Sequence, residues 1–172
     1  MKVKNLLKIT ALALFIALPL SCVEPEEPIE LPPETQKGAN TFGCLVNGEL
    51  FVAQPSGLSF NSRTYVYADY GVVLDGPSLT IFGSNKKGLI NIILHDPETN
   101  MLLIPRRLTY RNNNDRFYVF RPNTGEVFLT KFDLENRIVS GTFEFEIPLL
   151  KDDETVEDIT VKITEGRFDI KF

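Results

Sequence analysis

The sequence has few of the residues on which metal, redox and many catalytic sites depend. It contains two cysteines, one histidine and no tryptophan. Two cysteines exclude a disulfide framework and a four-cysteine zinc site, and a single histidine leaves little room for histidine-based metal or triad chemistry. The net charge of -5 and the pI near 5.0 argue against a general nucleic-acid binder. We therefore expect no cofactor, no metal ion and no nucleic-acid partner.

The chain also lacks a hydrophobic run long enough to cross a bilayer as a helix, which takes about 20 residues. Its apolar run over residues 9–20 is shorter, and it follows a basic stretch with three lysines and no acid. This order predicts a signal peptide over residues 1–21. The stretch Leu18–Cys22 resembles the lipobox of bacterial lipoproteins, in which Ser21 and Cys22 match the pattern. The resemblance implies cleavage before Cys22 and lipidation of Cys22; ordinary signal cleavage and a retained anchor are the alternatives.

Residues 22–40 are acidic and rich in proline, with five glutamates against one lysine. Prolines and repelling charges disfavour helix and sheet and favour an extended chain, so we predict a tether here. The acids just after the lipidation site (Glu24, Glu26 and Glu27) resemble the export signal of Bacteroidota lipoproteins sent to the outer face of the outer membrane. This resemblance implies a lipid anchor in the outer membrane and display on the cell surface, with a periplasm-facing position as the alternative.

Residues 41–172 have the pattern of antiparallel strands. Apolar and polar residues alternate in short runs broken by Gly, Pro, Asn and Asp, as in Gly141–Leu149 and in the last residues from Arg167 to Phe172. Asn47-Gly48 is a hairpin signal, and Gly166 suggests a turn or bulge. We predict a single all-β domain, either a barrel-like meander or a two-sheet sandwich, and short connections favour the barrel-like arrangement.

Two segments of this β region carry a family resemblance. The first is Phe42-Gly43-Cys44-Leu45-Val46-Asn47-Gly48-Glu49-Leu50-Phe51-Val52-Ala53, and the second runs from Ile138-Val139-Ser140-Gly141-Thr142-Phe143-Glu144-Phe145 to Ile163-Thr164-Glu165-Gly166-Arg167-Phe168-Asp169. They resemble an uncharacterised Bacteroidota-type lipoprotein domain that opens with VNG-x-x-F-x-A and closes with SGTF and TEGRFD. The resemblance implies an all-β extracytoplasmic domain over residues 41–172, and no functional residue is carried over from it.

One segment is strongly basic although the protein is acidic. Residues 105–121 hold five arginines against a single acid, Asp115. If strands near 101–110 and 116–121 pair across the Asn-rich turn, Arg111 lies opposite Arg116 and Thr109 lies opposite Tyr118. The predicted face consists of Arg107, Arg111, Arg116 and Tyr118. It is a candidate site for an anionic ligand held by guanidinium groups. Neutralisation by the acidic residues 152–158, by the tether or by solvent is the alternative.

Other chemistry-bearing residues favour structural roles. Glu144 and Glu146 form the polar half of an alternating strand and are expected on a solvated face. Cys44 alternates with Phe42 and Val46, which predicts a buried free thiol. His95 and Asp96 are neighbours on a strand and point to opposite faces, so they make a poor catalytic pair.

The sequence therefore indicates a non-enzymatic envelope lipoprotein, held to the membrane through a lipid on Cys22. We expect its β domain to be a binding module for a glycan, a small anionic or apolar ligand, or an envelope protein. A structural or assembly role is the alternative, followed by a carboxylate-dependent hydrolase.

Overall fold

The computed structural model describes residues 29–54, 65–112, 117–119, 125–150 and 156–172. Cys22 and the predicted signal peptide thus lie outside the described residues. Within these described ranges there are eleven strands: β1 Thr41–Val46, β2 Glu49–Val52, β3 Val66–Val73, β4 Gly76–Asn85, β5 Gly88–His95, β6 Met101–Leu103, β7 Arg107–Asn112, β8 Phe117–Val119, β9 Gly125–Asp133, β10 Ile138–Leu150 and β11 Val156–Lys171. Across the described ranges, no helix is long and apolar enough to span a lipid bilayer.

The strands form two antiparallel sheets that are not closed into a barrel. Sheet A has the order β2-β1-β11-β10-β9-β6, and sheet B has the order β3-β4-β5-β7-β8. The first part of β10 pairs with β9, whereas its end meets β8 at Leu149 and Tyr118 and so links the sheets. The predicted all-β antiparallel domain is confirmed, and of its two architectures the structure has the sandwich-like one.

Two features of the chain path differ from the predicted meander. First, β1 pairs with β11, so the beginning and the end of the domain are neighbours. Second, the predicted strand over residues 101–110 is split between the sheets, because β6 pairs with β9 and β7 pairs with β5 and β8. Pro105 lies at the break and has no N–H to donate to a ladder, so the chain changes sheets at this point.

The two predicted glycine signals are confirmed in the backbone. Asn47 and Gly48 both have positive φ, 51° and 81°, and join β1 to β2 as a two-residue hairpin loop. Gly166 lies at a bulge in β11, where the register with both neighbouring strands shifts. A Cβ on Gly166 would lie 2.4 Å from the ring of Phe143, so only glycine fits this close approach.

The core lies between the two sheets and is built from the inward half of each alternating strand. Phe42 of β1 contacts Phe143 of β10, with ring centroids 5.1 Å apart, and it packs directly over Gly83 of β4. The largest fully buried side chains are Phe42, Phe51, Leu79, Ile81, Ile90, Ile92, Leu94, Leu108, Leu129, Ile147, Ile163 and Ile170. Each contributes about 1.5–3 kcal/mol of hydrophobic stabilisation relative to an exposed position.

The end of the predicted tether is packed against the domain. Pro32 is buried over Gly43 of β1, and Gln36 accepts a hydrogen bond through its carbonyl oxygen from Lys131 Nζ of β9. Asn40 accepts one from the backbone N–H of Lys171. Residues 29–40 therefore lie on the outer face of sheet A, and the packed chain begins before Thr41.

Asp169 of β11 holds this segment in place. The alternation of β11 predicts a solvated side chain at this position, but Asp169 is only 1% exposed, because residues 35–39 cover it. Its carboxylate accepts hydrogen bonds from Thr35 Oγ1 at 2.5 Å, from Ser140 Oγ at 2.8 Å, and from the backbone N–H groups of Lys37, Gly38 and Ala39 at 2.8–3.2 Å. Gly38 has φ +72°, which turns its N–H toward the carboxylate.

These hydrogen bonds set the charge state of Asp169. Burial raises its pKa, but the hydrogen bonds from Thr35, Gly38, Lys37 and Ser140 outweigh burial and lower the pKa to about 2. The folded-state pKa lies below the ordinary value near 3.8. The stabilisation is therefore present above about pH 4 and is lost as the pH falls toward 2.

We predict that Asp169→Asn lowers the free energy of unfolding at pH 7 by about 2–3 kcal/mol, because the amide cannot accept charge-assisted hydrogen bonds from all these donors. Urea denaturation measures the loss, and hydrogen exchange should show faster exchange at Lys37, Gly38 and Ala39. Thr35→Val removes one donor and should give a smaller loss, while Asp69→Asn on exposed β3 serves as control. Unchanged protection of these amides in Asp169→Asn would contradict this role.

Candidate binding surface

The outer face of sheet A is divided into a covered part and an open part. In β9 and β10 the alternation sends Val127 and Phe143 into the core and leaves Glu126, Phe128 and Glu144 outward. Residues 29–40 cover the part around Asp169. The opposite part, near the start of β9, is open to solvent.

This open part contains a groove, which we call the outer-face groove. It consists of two adjoining depressions of about 340 and 530 Å³ that share Glu126 and Glu144. Glu34 of the N-terminal segment borders the smaller one. The other residues that line the two depressions are Leu102, Ile104, Gly125, Phe128, Thr142, Phe143, Phe145, Glu146, Ile163, Thr164, Glu165, Gly166 and Arg167.

One side of the groove is apolar although it is exposed. Leu102 and Ile104 are 55% and 58% exposed, and Phe128 is 38% exposed. Leu102 lies directly opposite Phe128 in the pairing of β6 with β9, so their side chains share the outer face. Among the described strands, β6 pairs only with β9 and forms an edge of sheet A. A group of exposed apolar residues at a sheet edge is typical of an interaction surface.

The other side of the groove is acidic. Glu126 lies directly opposite Glu144, which brings two like charges together across adjacent strands. Glu146 is paired with Lys162 at 3.1 Å and Glu165 with Arg167 at 3.7 Å. Within the residues that the structure describes, Glu34, Glu126 and Glu144 have no such ion pair. The groove therefore combines an apolar rim with uncompensated negative charge, and it confirms the predicted exposure of Glu144 and Glu146.

The predicted arginine face has a different register. Arg111 pairs with Phe117 and Tyr110 pairs with Tyr118, one residue away from the predicted pairing of Thr109 with Tyr118. Directly opposed residues belong to the same face of a sheet. Tyr118 therefore occupies a register position opposite the buried Tyr110 rather than one beside Arg107 and Arg111.

The remaining predicted anion ligands are well separated. Arg107 and Arg111 are exposed on β7 four residues apart, a distance of about 13 Å along the strand. Arg111 makes further contacts of its own. Arg116 and the acidic stretch 151–155 lie outside the described residues, so the predicted site of Arg107, Arg111, Arg116 and Tyr118 stays a prediction.

Arg106 in the same basic segment is neutralised locally. Its Nη1 lies 2.7 Å from Asp75 Oδ2 and 2.8 Å from His95 Nε2. Because a guanidinium has no acceptor, it donates to both atoms, and Nε2 of His95 is the unprotonated ring nitrogen. The hydrogen-bond partner of His95 is thus Arg106 and not its sequence neighbour Asp96.

Cys44 has the predicted environment. It is buried in the core as a free thiol, and burial raises the pKa of the thiol to about 12. In the described part of the chain, no group of His, Cys, Asp and Glu side chains is arranged to hold a metal ion.

Sequence reasoning did not find the outer-face groove. The sequence predicts Leu102 and Ile104 within one long strand near residues 101–110. The pairing of Glu126 with Glu144 depends on the register of β9 with β10, which the sequence does not give. The only signal for the groove was the uninterrupted apolar run from Met101 to Ile104, which does not alternate as a half-exposed strand should. Comparison with protein families, curated proteins and solved structures finds no match for this chain.

We predict that Glu126→Gln raises the free energy of unfolding by about 0.2–1 kcal/mol at low salt, because it removes the repulsion with Glu144. The gain should disappear near 1 M salt, where charges are screened within about 3 Å. Denaturant titrations at both salt concentrations measure it. Glu146→Gln is the matched control, since it removes a charge that Lys162 already pairs. Equal effects of the two variants would contradict the expected repulsion.

Proposed function

We propose that the protein is a non-enzymatic envelope lipoprotein, anchored through a lipid on Cys22, whose β domain binds a protein partner in the outer-face groove. The observation that supports this most is the exposed apolar rim of Leu102, Ile104 and Phe128 beside unpaired carboxylates. Exposed apolar side chains at a sheet edge lose contact with water when a partner covers them, which stabilises a complex.

The geometry favours a protein partner over the other candidates. An anionic ligand would meet the negative charge of the groove, and Arg107 and Arg111 are about 13 Å apart along β7. Carboxyl pairs that hydrolyse glycosides lie in clefts that enclose the sugar, whereas Glu126 and Glu144 lie on an open sheet face. Exposed apolar side chains bordered by polar and charged ones are typical of protein interfaces.

The anchor and the groove are close along the chain. The packed segment starts near Leu31, so eight residues lie between it and Cys22, and this stretch spans about 28 Å when extended. Glu34 then borders the groove directly. A lipid on Cys22 would therefore hold this face near the membrane surface and favour an envelope protein as the partner.

A photo-crosslinking amino acid at position 102 tests the binding role in intact cells. We expect a discrete adduct of higher mass after irradiation, because a bound partner covers Leu102. The same amino acid at position 134 is the control, since Leu134 is similarly exposed at 51% in the distant β9–β10 turn. If only the uncrosslinked protein is found with the amino acid at each of the two positions, or if both positions give identical adducts, binding in the groove is contradicted.

The anchor is tested separately by Cys22→Ala. We expect the variant to lose lipid incorporation and to leave the membrane fraction, since at least one acyl chain supplies the membrane affinity. Impermeant protease added to intact cells then distinguishes display on the surface, where the wild-type domain is degraded, from a periplasm-facing position, where it is protected. A Cys22→Ala protein that is processed and membrane-bound like wild type would refute the lipoprotein assignment.

A further inference from the structure

We infer that the outer-face groove binds an extended, cationic segment of its partner, in which a Lys or Arg and an apolar residue lie two positions apart and therefore on the same side. This inference rests on the proposed binding function and names the chemistry of the partner. Three features carry it: the charge of the groove, the position of its apolar rim, and the segment of this chain that the same face already holds.

The charge of the groove selects a cationic partner. Glu126 and Glu144 oppose each other, and Glu34 adds a third carboxylate at the border. Among the described residues the neighbouring cations Lys162 and Arg167 are engaged with Glu146 and Glu165. An ammonium or guanidinium placed between Glu126 and Glu144 would convert their repulsion into two charge-assisted hydrogen bonds.

The apolar rim requires that the same segment also carries hydrophobic side chains. Leu102 on β6 lies opposite Phe128 on β9, and Glu126 is two residues from Phe128 on the same face, so the Cα atoms of Leu102 and Glu126 are about 8 Å apart. Side chains two residues apart in an extended chain lie on one side and are about 7 Å apart. A lysine over the carboxylates and an apolar residue two positions away, over Leu102 and Ile104, are therefore compatible with one extended segment.

The covered part of the face shows that a chain segment can be held there without joining the ladder of sheet A. Residues 35–39 lie against the sheet, and Asp169 binds the backbone N–H groups of residues 37–39 through its carboxylate. This arrangement leaves Glu34 at the boundary with the open groove. The segment of the partner would continue across the same face from that boundary.

The test uses the lipoprotein purified from membranes in mild detergent and a peptide that carries fluorescein at its N-terminus, Lys-Ser-Leu-Ser-Lys-Ser-Leu-amide. Anisotropy should rise with protein concentration, and a peptide with Glu in place of Lys should bind at least tenfold more weakly. The double variant Glu126→Gln with Glu144→Gln should weaken binding at least tenfold, and Leu102→Ser at least threefold. All these side chains are exposed, so the variants should fold.

Two matched controls separate site binding from general attraction between charges. Glu135→Gln and Leu134→Ser make the same chemical changes in the β9–β10 turn, about 24 Å along β9 from Glu126, and should leave binding unchanged. Equal weakening by groove and control variants, equal binding of the Glu peptide, or no binding would each overturn the inference. If crosslinks at position 102 persist while the lysine peptide fails, the binding function stands and the cationic partner is rejected.

Discussion

The buried carboxylate of Asp169 is the interaction on which the outer face of sheet A depends. Its carboxylate accepts hydrogen bonds from two parts of the chain, the N-terminal segment and β10. A buried charge is strongly unfavourable unless hydrogen bonds satisfy it, so Asp169 is stable only while residues 35–39 cover it. The segment in turn pairs with none of the described strands, and this carboxylate accepts more of its hydrogen bonds than any other group described on the sheet. This mutual dependence fixes which part of the face is covered and which part stays open.

Local sequence signals predicted the strands and turns well because they depend on neighbouring residues. The alternation from Gly141 to Ile147 follows the two faces of β10, and Asn47-Gly48 forms the expected hairpin. The pairing of β1 with β11 and the change of sheet at Pro105 involve residues far apart in sequence. Alternation within one strand does not identify its neighbours, so these features required the folded structure.

The candidate site shows how much depends on register. The pairing of β7 with β8 differs by one residue from the predicted register, so Tyr118 lies opposite Tyr110 instead of Thr109. A shift of one residue matters because it exchanges the two faces of a strand. Asp169 presents the same difficulty in another form. Its place in the alternation correctly predicts that it points out of the core, but only the path of residues 35–39 makes it buried.

Contacts within the chain satisfy the charged and apolar groups of the open part of the face less fully than those of the covered part. Near Asp169, every carboxylate oxygen meets donors from the chain itself. At Glu126 and Glu144, like charges oppose each other beside exposed Leu102, and neither feature favours the isolated folded domain. Both become favourable when a cationic and apolar segment covers them, since repulsion turns into attraction and apolar area leaves water. In the proposed complex, the same face would meet its electrostatic and hydrophobic requirements in two ways: internally around Asp169, and through the partner at the outer-face groove.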